Sequence, residues 1–152
     1  ALESFGDTLD VNRDDLLQLF ELAGLSAAKR RVGHLTCNDI MSRDVITIAG
    51  YAPVEDARVL LRARRLRALP VENASGQLIG VITWLELDRH GVLASDIMEP
   101  AETAHVNAPA ATLLAPLANG HGHEVMIVDD DMRLQGIVTQ TDIVAGLVTG
   151  AI

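Results

Sequence analysis

An internal repeat limits what this chain can fold into more than any other feature. Asp39-Ile40-Met41 recurs as Asp96-Ile97-Met98, 57 positions on. Pro53 recurs as Pro109, and Leu78-Ile79-Gly80-Val81-Ile82-Thr83 as Leu134-Gln135-Gly136-Ile137-Val138-Thr139, both 56 positions on. Ile40 to Glu86 and Ile97 to Asp142 are two copies of one unit, with a single-residue length difference between Met41 and Pro53. A unit this short is one supersecondary motif and buries little core by itself. Two copies packed sheet against sheet solve that problem.

Each copy reads the same way. A short extended segment comes first: Val45-Ile46-Thr47-Ile48 in copy one, Ala104-His105-Val106 in copy two. Pro53 and Pro109 then stand where proline suits the first turn of a helix. Val54, Ala57, Leu60 and Leu61 form a helical apolar stripe with arginines on the other face. A strand over Ala68-Leu69-Pro70-Val71, a turn at Asn73-Ala74-Ser75-Gly76 and a second strand from Leu78 to Thr83 follow. A closing helix is expected to begin near Trp84. In copy two, Pro116 removes a backbone donor and Asn119-Gly120-His121-Gly122 favours a loop, so that copy's first helix should be shorter or bent. Helices alternating with strands give an α/β (α+β) architecture, a small sheet with helices on one face. The division expected is an N-terminal extension over 1–36, repeat one over 37–92 and repeat two over 93–152.

The extension stands outside the repeat. Asn12 is placed to cap a helix through Asp14, Asp15, Leu16, Leu17, Leu19, Phe20 and Leu22, with Gly24 to end it and Lys29-Arg30-Arg31 beyond. It reads as a packing helix or linker, or as a connector to an upstream domain. The 152 residues contain no apolar run near the roughly 20 that a membrane helix needs. A formal net charge of -9 argues against nucleic acid as a partner. Arg58, Arg62, Arg64, Arg65 and Arg67 nevertheless crowd into ten positions, a local basic patch able to hold a small anion. The single cysteine, Cys37, allows no internal disulfide and fits a reducing compartment.

These landmarks resemble a known family. Asp39-Ile40-Met41-Ser42, Arg67-Ala68-Leu69-Pro70-Val71 and Gly80-Val81-Ile82-Thr83 resemble the opening, middle and end of a CBS (cystathionine-beta-synthase) repeat. Asp96-Ile97-Met98 and Gly136-Ile137-Val138-Thr139-Gln140-Thr141-Asp142 resemble the same landmarks of a second repeat. The likeness covers about residues 37 to 148. It implies two βαββα repeats in a pseudo-two-fold pair, a Bateman module. Such a module is a cytoplasmic regulatory sensor of AMP, ADP, ATP or S-adenosylmethionine in clefts between repeats, and it commonly forms homodimers. Asp10 to Leu16 and Arg31 to Met41 also resemble the stretch joining the membrane part of HPP-family proteins to their cytoplasmic CBS pair. That likeness implies a membrane domain upstream of this chain.

The sharpest local signal is Thr139 at a strand end with Asp142 three residues on. Side chains so spaced meet at a helix start. The carboxylate can accept from two ribose hydroxyls, and the Thr139 hydroxyl with nearby backbone N–H groups can meet a phosphate. The resemblance assigns these same roles. The plainer reading is that the two residues cap a helix. Copy one departs from the family pattern with Thr83 and Glu86, a longer carboxylate where the family has Asp, so its cleft ranks second. Arg67 is a candidate phosphate contact or simply an exposed arginine. The resemblance places adenine against Ile46, Thr47, Leu69 and Pro70 in copy one. In copy two it points to Ala104, His105, Val125 and Met126, with backbone groups doing much of the work.

No catalytic set stands out. Cys37 has His34 three residues before it, but no third group completes a nucleophile. His105, His121 and His123 lack the spacing of a recognised metal set and read as loop histidines. Asp129-Asp130-Asp131 reads as a polar turn, not a calcium loop. The chain is therefore expected to be a non-enzymatic module that needs no cofactor. The alternative is a ligand-free dimerisation or interaction module of a larger membrane protein.

Overall fold

A computed structural model describes residues 34–119 and 124–149. The helix expected over Asp14 to Leu22, the basic run ending at Arg31, and His121 and His123 lie outside the described residues.

The chain opens with one helical turn, α1 (Cys37–Ile40), and continues as β1 (Ile48–Ala49), α2 (Val54–Ala63), β2 (Ala68–Glu72) and β3 (Leu78–Thr83). A second short turn, α3 (Ala94–Ile97), leads into β4 (Thr103–His105), α4 (Leu114–Asn119), β5 (Glu124–Val128), β6 (Leu134–Thr139) and α5 (Gln140–Thr149). The strands form two three-stranded sheets, ordered β1-β2-β3 and β4-β5-β6. In each, the first two strands are parallel and the last two form an antiparallel hairpin. The hairpin turns match too. The Asn73 side chain accepts from the N–H groups of Ser75 and Gln77, and Asp129 does the same for Asp131 and Arg133. This is the polar turn expected of Asp129-Asp130-Asp131.

Two helices depart from the regular repeat. The closing helix expected near Trp84 is only a 3-10 turn over Glu86–Asp88. Just beyond it Gly91 packs so close to α3 that a Cβ would stand 2.7 Å from the Asp96 Cβ. In copy two, Ala110–Leu113 form a 3-10 turn before α4 begins. Pro116 then falls in the first turn of α4, where a missing N–H costs little. Copy two's first helix is thus shorter as expected, but it runs through Pro116 and does not end there.

The segment opening each copy in sequence packs against the other copy in space. Leu35, Cys37 and Met41 share a core with Leu113, Val125, Ile127, Val138 and Ile143. Ala94 and Ile97 share one with Ile48, Ala57, Leu61, Leu69 and Ile82. Ser42 and Ile137 exchange backbone hydrogen bonds of 2.8 and 2.9 Å, and Val81 and Glu99 exchange two of 2.8 Å. Asp39 and Asp96 fix the two opening turns. Each carboxylate reaches back to N–H groups at the turn's start, of Thr36 for Asp39 and of Leu93 and Val92 for Asp96. Those hydrogen bonds hold both carboxyls below the usual carboxylate value. A third core, between the sheets, contains Leu78, Met126 and Val128.

The crossing leaves no room beside β3 and β6. A Cβ on Gly80 would lie 2.9 Å from the Glu99 carbonyl oxygen, and one on Gly136 would lie 2.7 Å from that of Ser42. Backbone cannot yield as a side chain does. Gly136→Ala should therefore destabilise the fold by about 1–3 kcal/mol, the usual cost of overpacking a filled site. Urea unfolding measures this as a lower midpoint at unchanged slope; an unaltered midpoint would refute the close crossing.

Candidate functional site

The crossing of the N-terminal segment over copy two opens into a cleft of about 230 Å³. Asp44, Val45 and Ile46 line it directly after the Ser42 bridge. Arg65, Leu66, Arg67 and Ala68 contribute from the junction of α2 and β2. Glu124, Ile137 and Thr139 contribute from copy two. The cleft thus belongs to both copies. Of the residues singled out in the sequence, it brings together Ile46, Arg67 and Thr139.

Asp142 stands behind Thr139. The Thr139 N–H and hydroxyl donate to Asp142 Oδ2 at 2.9 and 3.1 Å, and the Asp142 N–H approaches Thr139 Oγ1 at 3.2 Å. This is a helix cap at the start of α5, so the plainer reading of the pair is realised. It leaves Asp142 Oδ1 without a hydrogen bond among the described residues, on a side chain that is only partly buried. Capping thus occupies one oxygen of the carboxylate and leaves the other open.

Thr83 and Glu86 repeat the arrangement with a longer arm. The Thr83 N–H and hydroxyl donate to Glu86 Oε1 at 2.7 and 2.8 Å. The extra methylene folds the carboxylate inward until Glu86 is only 6% exposed. Copy one spends its carboxylate on the cap, whereas Asp142 remains accessible.

The proposed adenine contacts divide. Leu69, Pro70, Val125 and Met126 are buried, the last in the core between the sheets, so only their backbone can face a ligand. The Thr47 hydroxyl is taken up by Glu72, at 2.8 Å. Strand register shifts the copy-two pair. Ile48 pairs with Val71, and Ala104 with the matching Ile127. Ile46 and Thr47 therefore correspond to Glu102 and Thr103, not to Ala104 and His105. The pair expected from the sequence is thus two residues too far along, and the single-residue length difference before the first strand accounts for one of them. The ring of His105 is engaged within copy two, where its Nε2 meets Asp130 Oδ1 at 2.6 Å and its Nδ1 accepts from the Asn107 N–H at 3.0 Å.

Asp44, Val45, Arg65, Glu124 and Ile137 were not singled out as site residues. Arg65 was visible as part of the arginine cluster; the others become legible only once Ser42 is known to pair with Ile137. Cys37 is fully buried, and burial pushes its thiol up, the reverse of an activated nucleophile. Among the described residues no group of three His, Cys, Asp or Glu could hold a metal ion, and no helix is long and apolar enough to cross a membrane.

The CBS domain family model matches residues 37–91 and again 94–149. The chain belongs to the CBS-domain family. Its curated relatives include an inosine-5'-monophosphate dehydrogenase of Thermoplasma acidophilum, 32% identical over 69% of this chain but 22% of that enzyme. A homoserine O-acetyltransferase of Methanohalobium evestigatum is 24% identical over 74% of this chain and 24% of its own. The CBS pair thus spans about a quarter of the length of these relatives. Among solved structures, CBSX2 in complex with AMP has a TM-score of 0.69 at 22% identity, covering 75% of this chain and 96% of that one. The CBS domain of a bacterial CNNM/CorC family Mg2+ transporter with ATP has a TM-score of 0.69 at 24% identity, covering 87% and 99%. A CBS domain pair with 5'-methylthioadenosine and S-adenosyl-L-methionine reaches 0.64 at 26% identity, covering 77% and 98%.

Glu86→Ala removes the acceptor for two donors of Thr83. It should lower stability by about 1–2 kcal/mol, the usual loss for a helix-type cap. Chemical unfolding that gives the wild-type free energy would rule out the capping role.

Proposed function

We propose that this CBS pair is a regulatory, non-catalytic module that binds an adenine-containing ligand in the cleft between its copies. The observation that carries the reading is the cleft itself, with Thr139 on its wall and the spare oxygen of Asp142 behind. In this reading Asp142 Oδ1 accepts from the ribose hydroxyls while Oδ2 keeps the cap on α5. Thr139 and the first N–H groups of α5 face a phosphate, favoured there by the helix dipole. Ile46, Val45 and Leu66 supply apolar surface for the base. The ligands held by similar CBS structures (AMP, ATP and S-adenosyl-L-methionine) support an adenine class. The copy-one carboxylate is already folded into its cap, so the Asp142 cleft is the principal site.

Regulation requires the ligand to prefer one state of the module over another. The element in position to report is the segment through Ser42 and Asp44. In this reading the regulated partner is an upstream membrane domain, as the resemblance of Asp10 to Leu16 and Arg31 to Met41 to HPP-family proteins implies. A second reading, a dimerisation module without ligand, is favoured by one observation. Leu85 and Trp84, beside the buried Glu86, are 82% and 47% exposed. Their apolar surface suits contact with a second copy.

Calorimetry with AMP, ADP, ATP, S-adenosylmethionine and NAD, on wild type and Asp142→Ala, tests the primary reading. At least one adenine ligand should bind the wild type, and Asp142→Ala should weaken it by about tenfold or more, the worth of a charge-assisted hydrogen bond. Absence of binding by all of them, with a stable dimer in light scattering, would favour the second reading.

A further inference from the structure

Four arginines stand together at the C-terminal end of α2 and beyond: Arg62, Arg64, Arg65 and Arg67. All are exposed, and among the described residues none of their guanidinium groups has a hydrogen bond or ion pair. By contrast, Arg58 on the same helix pairs with Glu55, and Arg89 pairs with Glu99. Two of the four, Arg65 and Arg67, line the cleft.

Arg65 has the least comfortable backbone of the group. Its φ is 53°, in the left-handed region. The Leu66 N–H bonds back to the Leu61 carbonyl at 3.1 Å, which closes α2 with Arg65 in the position that glycine fills at least cost. A side chain there costs about 1 kcal/mol. Met132, whose φ is 64°, is not among the residues that line this cleft. An arginine held in this conformation beside a cleft is a strained residue at a candidate site, and such strain marks function more often than chance.

The rest of the molecule opposes an anion, since its net charge is -9. Screening decides the contest locally. At physiological salt, charges beyond about 8 Å are largely screened, so the clustered arginines outweigh distant carboxylates. The cleft also contains Asp44 and Glu124, but Glu124 is already engaged. Within the cleft the unpaired guanidiniums of Arg65 and Arg67 face Asp44 as the one lining carboxylate not already engaged, which leaves one positive charge over. The surplus disfavours a ligand with a cationic tail and favours one with several negative charges. The positions that match Arg65 and Arg67 in copy two, 56 residues on, are His121 and His123. The sequence places the arginine pair at one cleft only.

We infer that the cleft selects an adenine nucleotide with a polyphosphate tail over a monophosphate or a sulfonium nucleoside. Arg65 is the selecting residue and Arg67 assists it. This rests on the adenine-binding reading above. Thr139 and the start of α5 meet the first phosphate, and the guanidinium of Arg65 meets the phosphates beyond it, through bidentate contacts that a monophosphate cannot reach.

The test is calorimetry with magnesium-free AMP, ADP, ATP and S-adenosylmethionine on wild type, Arg65→Gly and Arg67→Gln, with thermal unfolding of each ligand-free protein. ATP should bind the wild type at least about tenfold tighter than AMP, a margin that each charge-assisted contact can supply. In Arg65→Gly the ATP-to-AMP ratio should fall to within about threefold, while the ligand-free midpoint stays level or rises as the left-handed strain is relieved. Arg67→Gln should lower the ratio in part and serves if Arg65→Gly fails to fold. AMP or S-adenosylmethionine binding as tightly as ATP, or a ratio untouched by both substitutions, would overturn the inference and leave the adenine reading intact. Failure of every adenine compound to bind would remove that reading, and the inference with it.

Discussion

Two pairs of backbone hydrogen bonds, Ser42 with Ile137 and Val81 with Glu99, set the geometry on which everything else depends. Each pins the opening segment of one sequence copy across the last strand of the other. Glycine at 80 and 136 lets the backbones approach closely enough to bond. Met41 and Met98 lie over those glycines, so the close approach is apolar as well as hydrogen-bonded. Neither three-stranded sheet is large, and sharing each core between the copies lets two small units behave as one. The cleft follows directly, because Asp44 to Ile46 leave the Ser42 bridge and run beside Ile137 and Thr139.

A second regularity is the carboxylate that reaches back three residues. Asp39, Glu86, Asp96 and Asp142 all accept N–H hydrogen bonds at the start of a helical turn. The same local device has different consequences at each place. Asp39 and Asp96 secure the crossing segments. Glu86 is drawn inside, whereas the shorter Asp142 keeps one oxygen available. One methylene separates a purely structural carboxylate from a candidate ligand contact.

Much of this was legible in the sequence because repeats and periodicity report local structure. The strand Leu78 to Thr83, the start of α2 after Pro53 and the shorter first helix of copy two follow from residue types and spacing. The short closing turn at Glu86 was not legible, since the close packing of Gly91 against the α3 turn just beyond it leaves no mark in local residue pattern. The crossing itself was hidden for the same reason: sequence similarity pairs Ser42 with Glu99 as equivalents but cannot say which strand each joins. Site reading suffered accordingly. Thr139, Ile46 and Arg67 line one cleft, whereas the sequence assigns Ile46 to copy one's site and Thr139 to copy two's. Ala104 and His105 do not match Ile46 and Thr47, because strand pairing puts Glu102 and Thr103 at the equivalent positions. Asp44 and Ile137 enter the cleft only through the crossing.

The central claim is that a nucleotide binds at the crossing and steadies it. Backbone amide hydrogen exchange at Ser42 and Ile137, followed with and without saturating ATP, tests it most directly. A ligand seated against Ile46, Ile137 and Thr139 should slow exchange at both amides, with smaller changes at Val81 and Glu99. Unchanged exchange at Ser42 and Ile137 in a protein that demonstrably binds ATP would place the ligand elsewhere and contradict this account.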